Sequence, residues 1–186
     1  MQRVSLKQAQ CPIARGLDQV GEWWSLLILR DAFDGFTRFD EFERNLRIAP
    51  TMLSRRLRTL VDAGLLERRC YCEHPPRFEY LLTERGREFR PVLLALYAWA
   101  YQHTCPEERS VVLVEDATGR EVEPVLVDRA SGRPLEELDV SFAPGPAASE
   151  GMRQRLTRRP RACPPTPVMS TPVMSTPVMK EEGCHP

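Results

Sequence analysis

Between residues 50 and 63 the chain places Thr51, Ser54, Arg55 and Arg58 at i, i+3, i+4 and i+7, one stripe of a helix. The opposite stripe holds Leu53, Leu57, Leu60 and Val61, an apolar seam for a core. Short hydroxyls and guanidinium forks reach base edges and phosphates, and a major groove about 12 Å wide admits one helix. Arg77 follows the segment Glu73-His74-Pro75-Pro76 and is expected against the adjacent backbone or minor groove, and Arg38, which starts an earlier helix, is expected to meet a phosphate. Arg56 lies off the polar stripe, and Arg68 and Arg69 alternate on a strand, so at most one of those two is expected to face DNA. The implied chemistry is recognition of a double-stranded DNA operator. There is no Gly-rich phosphate loop, no serine nucleophile with a histidine partner and no placed carboxylate pair, so neither an enzyme nor a cofactor is expected.

A second set of reactive side chains is Cys70, Cys72 and His74, at i, i+2 and i+4 of one strand, with Cys105 or His103 as a fourth ligand for a soft metal. The spacing is not a C-x-x-C knuckle and a strand already accounts for the segment, so no metal is expected. Trp23, Trp24, Tyr97 and Trp99 could line an effector pocket, although such aromatics are more often core and interface.

The elements that must position these groups follow from periodicity. Helices are expected over Cys11–Val20, Glu22–Phe33, Arg38–Leu46 and from Pro50, whose missing N–H suits a first helical position. Gly35 and Gly64 are stops. Leu66–Cys72 and Arg77–Leu82 alternate as two strands, with the two prolines excluding pairing at their tip. Thr83 caps a long helix to about Tyr101, kinked at Pro91. The order is mostly α with a small β wing: a winged helix-turn-helix over 11–103, after an N-terminal arm at 1–10.

Beyond it, Val112-Leu-Val-Glu-Asp-Ala-Thr-Gly-Arg and Val125-Leu-Val-Asp-Arg-Ala-Ser-Gly-Arg repeat at an offset of 13, predicting a β-hairpin extension over 104–142. Residues 143–186 hold tandem Thr-Pro-Val-Met units beginning at Thr166, Thr171 and Thr176, and are expected to be a disordered low-complexity tail.

The 186 residues balance 26 Lys+Arg against 26 Asp+Glu, yet the charge is segregated. Residues 1–101 carry 16 basic and 13 acidic side chains, 102–150 carry 4 and 11, and 151–186 carry 6 and 2. Within 44–70, seven arginines face only Asp62 and Glu67, which makes a basic patch. The longest apolar stretch, Val92–Tyr101, is half the ~20 residues a membrane helix needs, and the N-terminus lacks an apolar signal core. A cytoplasmic protein with reduced thiols is expected, without a membrane partner.

The chain resembles the HxlR-type winged helix-turn-helix regulators, relatives of the MarR group, from Cys11 to about Tyr101. The resemblance is carried by Cys11-Pro-Ile-Ala-Arg-Gly-Leu-Asp, Trp24-Ser-Leu-Leu-Ile-Leu-Arg-Asp and Arg38-Phe-Asp-Glu-Phe. It continues through Leu53-Ser-Arg-Arg-Leu, Ala63-Gly-Leu-Leu-Glu-Arg-Arg, Pro75-Pro-Arg-Phe-Glu-Tyr and Leu82-Thr-Glu-Arg-Gly. It implies a homodimeric transcriptional regulator in the bacterial cytosol or nucleoid, its first and last helices forming most of the dimer interface. Ile13, Leu17, Val92, Leu96 and Trp99 are the residues expected there. It also implies that Cys11 stands where some members carry a thiol sensing oxidants or electrophiles, against the plainer reading of a small packed residue. Trp23 and Ala49 depart from the Lys and the Ser or Thr of many members, so a side-chain N-cap is not expected before Pro50. The alternatives kept open are a thiol- or metal-responsive sensor at Cys11 or at Cys70, Cys72 and His74, and a non-DNA interaction module using the extension and tail.

Overall fold

The computed structural model describes residues 6–157. Its elements are helices α1 (Pro12–Val20), α2 (Trp23–Phe33), α3 (Phe39–Leu46) and α4 (Pro50–Asp62), strands β1 (Leu66–Glu73) and β2 (Pro76–Leu82), then helices α5 (Glu84–Arg87) and α6 (Arg90–Gln102). Two single 3-10 turns follow at Pro106–Glu108 and Leu135–Glu137, and α7 spans Glu150–Thr157. The chain divides into two units after Phe142. The first carries the core.

That core is where the apolar stripes of α2, α3 and α4 meet. Ile28, Leu29, Phe42, Leu53, Leu57 and Leu60 are completely buried, with Leu65 and Leu66 closing the entry to the wing. Each such side chain removed from water stabilises by about 1.5–3 kcal/mol, so the α4 seam alone anchors its helix firmly. α2 is apolar on most sides, but it also buries Asp31. The Asp31 carboxylate accepts from Arg30 Nη2 at 2.6 Å and from Asn45 Nδ2 at 2.7 Å, tying α2 to the end of α3.

The helix ends follow local chemistry. Gly64, one residue beyond the C-cap of α4, takes φ +68°, and Gly35 takes φ +93° after α2. Both lie in the left-handed region where glycine has no Cβ to clash. Ala49 makes no side-chain cap before Pro50.

β1 and β2 pair antiparallel from Leu66↔Leu82 to Glu73↔Pro76. Pairing therefore reaches the tip, against the expectation that the prolines would prevent it. His74 and Pro75 form a two-residue turn, and Pro76, the first residue of β2, needs no N–H at the end of the ladder. A bulge leaves Tyr71 unmatched between Cys70↔Phe78 and Cys72↔Arg77. The wing is also sewn to the helices: Tyr80 N–H donates to Thr37 O at 2.7 Å, and Arg38 bridges Glu79.

The long kinked helix expected after Thr83 is instead two helices. Thr83 Oγ1 accepts the Gly86 N–H at 3.0 Å, as a cap should, but α5 ends at Arg87 and Pro91 sits in the first turn of α6. A proline at 91 cannot donate to the carbonyl four residues back and its ring crowds it, so the ladder breaks rather than bends. Gly86 is buried at the join, where a Cβ would lie 2.1 Å from Leu65 O.

The 104–142 extension does not form one paired hairpin. Each repeat closes on itself through one antiparallel bridge, Val114↔Glu121 and Val127↔Pro134, around Gly119 and Gly132 at φ +68° and +70°. Two backbone bonds close each unit: Glu115 N–H to Arg120 O and Val122 N–H to Leu113 O in the first, Asp128 N–H to Arg133 O and Leu135 N–H to Leu126 O in the second. In the second unit, α7 replaces the disorder expected from 143 as far as Thr157; the Thr-Pro-Val-Met repeats lie outside the described residues. Among the described residues no helix is long and apolar enough to cross a membrane.

Candidate nucleic-acid interface

α3 and α4 are joined by Arg47, Ile48 and Ala49, with Arg47 in the left-handed region at φ 51°. Ile48 buries itself in the core and fixes the turn. α4 thereby turns one face inward. Thr51, Ser54, Arg55 and Arg58 all lie exposed on the other, and none of these four side chains has a hydrogen bond or ion pair within the described residues.

Arg56 differs from its neighbours. It is buried, and its Nη2 lies 3.1 Å from Glu22 Oε2 at the N-terminus of α2. Its Nε, like the buried hydroxyl of Ser25 in α2, has no hydrogen-bond partner among the described residues. Arg56 therefore locks α4 to α2. One helical step of about 100° separates Arg56 from Arg55, and two steps separate it from Arg58, so one side chain holds the fold while the other two face solvent.

The arginines of the wing also divide. Arg68 stacks 3.4 Å from the Phe78 ring centroid, and Arg69 pairs with Glu79 at 2.8 Å, so both are occupied inside the wing. Arg77 is exposed and carries no such partner. Arg38 is exposed at the N-terminus of α3, its guanidinium 4.9 Å from the centre of the Tyr71 ring. The Glu41 carboxylate accepts the N–H groups of Thr37 at 3.0 Å and Arg38 at 2.8 Å. Those backbone bonds, that of Thr37 first, hold the Glu41 pKa below its ordinary value, so the cap is charged at neutral pH. Tyr71 was not singled out from the sequence, because an aromatic on a strand reads as packing. Its signal is the bulge, which the spacing of Cys70 and Cys72 conceals. Arg47, counted only in the basic cluster, stands exposed in the turn that leads into α4.

The remaining sequence candidates are placed as follows. Ile13, Leu17, Val92, Leu96 and Trp99 are all exposed, on α1 and α6. Cys11 is the half-buried residue preceding α1. Cys70 Sγ donates to Cys72 O at 3.1 Å and Cys72 Sγ faces His74 O at 3.7 Å, so these thiols turn to backbone rather than converge. Among the described residues no group of three His, Cys, Asp or Glu side chains has a metal-holding arrangement. The aromatics do not converge on one pocket: Trp23 stacks on Trp24, Tyr97 tilts against Tyr101, and Trp99 meets His103 edge-on.

A helix-turn-helix followed by a two-stranded wing, with a polar-and-arginine outer face, defines a DNA-binding transcription regulator. Comparison with known proteins places it further. Residues 19–108 match the HxlR-like helix-turn-helix family. The HTH-type transcriptional regulator Rv3095 of Mycobacterium tuberculosis, itself uncharacterised, is 40% identical, over 60% of this chain and 83% of that one. The chain belongs to the HxlR-like family. The solved structure of PA1374 from Pseudomonas aeruginosa, described as a candidate transcription factor, is 55% identical with a TM-score of 0.57, covering 78% of this chain and 100% of that one. That of PA1607, described likewise, is 41% identical with a TM-score of 0.65, covering 73% and 97%.

Proposed function

We propose that the protein is a homodimeric, sequence-specific operator-binding regulator. α4 enters the major groove, with Thr51, Ser54, Arg55 and Arg58 on base edges and phosphates. Arg77 on the wing meets the adjacent backbone or minor groove, and Arg38 takes a phosphate beside it. The carrying observation is the division of the arginines: the outer face of α4 is left without internal partners, while Arg56 is drawn inward to Glu22. The second copy joins through α1 and α6, whose Ile13, Leu17, Val92, Leu96 and Trp99 would otherwise face water. Two recognition helices would then meet half-sites about 34–36 Å apart.

The test is a titration of the purified protein against its own upstream DNA and a scrambled control. Arg55→Ala and Arg58→Ala should each weaken operator binding by more than ~1 kcal/mol with unaltered thermal unfolding. Unchanged affinity in both variants would refute the site.

Regulation by an electrophile at Cys11 is the second reading, because Cys11 directly precedes the helix carrying Ile13 and Leu17. Adduct formation there would act on the dimer face. Cys11→Ser should then make operator binding insensitive to a mild oxidant; equal sensitivity in both proteins would exclude this thiol.

A further inference from the structure

The extension at 104–142 lacks the means to bury its own apolar surface. No residue in it is buried, and Val111, Val112, Val125, Leu126, Val127 and Phe142 are exposed, Leu126 at 59% and Phe142 at 78%. Each repeat is closed by a single bridge, and a two-stranded pair without a packed face is marginal in water. What fixes its position is α6. Leu113 N–H donates to Tyr97 Oη at 3.1 Å, Tyr101 Oη donates to the Glu121 carboxylate, and Arg109 stacks 4.0 Å from the Tyr101 ring centroid. α6 itself has no buried residue and presents Val92, Leu96 and Trp99 outward. The exposed Val112 of the first repeat thus adjoins a residue tied to α6, whose own apolar side chains face outward.

Charge separates the candidate occupants. Residues 104–142 hold ten acidic side chains and four basic ones, so nucleic acid is repelled from this side. The helical domain outside 44–70 holds nine basic and eleven acidic side chains, so a second copy would be held on this side by apolar burial rather than by charge. Size points the same way. A standard interface takes about 800 Å² and 20–30 residues from each partner, more than the exposed residues of α1 and α6 supply.

We propose that residues 104–142 form a second part of the homodimer interface, their Val-Leu-Val rows covered by another copy of this chain. This rests on the homodimer reading above and extends it. The relative PA1374 is covered over its whole length by 78% of this chain, more than the family segment 19–108 occupies, so the extension is not peculiar to this sequence.

The test uses the full chain in sedimentation velocity over a concentration series, with circular dichroism as a folding control. Leu126→Asp, Val112→Asp and Trp99→Asp all alter exposed sites, so each variant should keep the helical signal. A symmetric interface contains every substitution twice, so each should raise the dimer dissociation constant about 100-fold or more. A constant within threefold of wild type for both Leu126→Asp and Val112→Asp, with Trp99→Asp weakened, would overturn the role of the extension and leave the homodimer standing. A wild-type protein that stays monomeric throughout the series would overturn both.

Discussion

Replacing Glu22 by Gln should cost the fold more than replacing its partner Arg56 by Met, because the two ends of this ion pair are buried unequally. The Arg56 side chain is 8% exposed and that of Glu22 34%. Removing one partner of a fully buried pair costs about 3–5 kcal/mol. Here water reaches the carboxylate, which brings the expected loss for Glu22→Gln to about 2–3 kcal/mol. Part of that, about 0.3–1 kcal/mol, is the favourable position of a carboxylate at the N-terminus of α2. Arg56→Met keeps most of the volume and leaves a carboxylate that water can solvate, so it should cost about 1 kcal/mol or less. The double variant should resemble Arg56→Met, giving a coupling of about 2 kcal/mol. Urea unfolding of the four proteins at one protomer concentration reads this directly, and the fixed concentration matters because association adds to apparent stability. A larger loss for Arg56→Met than for Glu22→Gln would refute the argument from unequal burial, and a coupling below about 0.5 kcal/mol would refute the assignment of Arg56 to the fold rather than to DNA.

Two further outcomes follow from the wing junction and the α3 cap. Gly86→Ala places a Cβ 2.1 Å from Leu65 O, a backbone atom that cannot swing away, so melting should fall by the equivalent of about 1–3 kcal/mol; a melting temperature equal to wild type would show that the junction has room. The folded-state pKa of Glu41 lies below the ordinary value of 4.5. Its stabilisation is therefore complete above that value and is lost as pH falls through the folded pKa. Glu41→Gln should flatten the decline of stability on the acid side in denaturant titrations at stepped pH, and an unchanged acid limb would remove the cap from the account.

Most of the winged domain was legible because its elements are amphipathic and punctuated. The Leu53, Leu57 and Leu60 seam, Pro50 at the start of α4 and Gly64 beyond its end each state a boundary in local chemistry. The exposed polar face of α4 was legible for the same reason, since a 3.6-residue period separates Arg55 and Arg58 from Arg56. What depended on distant residues was not. Nothing near Arg56 in sequence names Glu22, 34 positions away, as its partner, and the pairing of Arg69 with Glu79 needs the strand register. The break at Pro91 was misjudged as a kink because sequence identifies the lost donor but not how the chain absorbs it. In the extension, the alternation of Val and Leu signalled strands, yet each repeat pairs only within itself, through one bridge.

Partner by partner, the arginines set how strongly salt should oppose DNA binding. A cation already paired inside the protein keeps its counter-charge when phosphate approaches and releases little on the DNA side. By that criterion Arg44 with Asp40, Arg56 with Glu22 and Arg69 with Glu79 drop out, and Arg68 is engaged on Phe78. Arg47, Arg55, Arg58 and Arg77 remain exposed without an acidic partner among the described residues. Four per protomer become eight in a dimer. At about −0.9 per phosphate neutralised, the slope of log K against log salt should be near −7, and about −9 if Arg38 of each protomer also reaches a phosphate. A fluorescence-anisotropy titration of operator DNA at five or six salt concentrations measures it. A slope near −3 or −4 would mean that one protomer binds, or that most of these arginines read bases or solvent. A slope well beyond −9 would require cations outside this face.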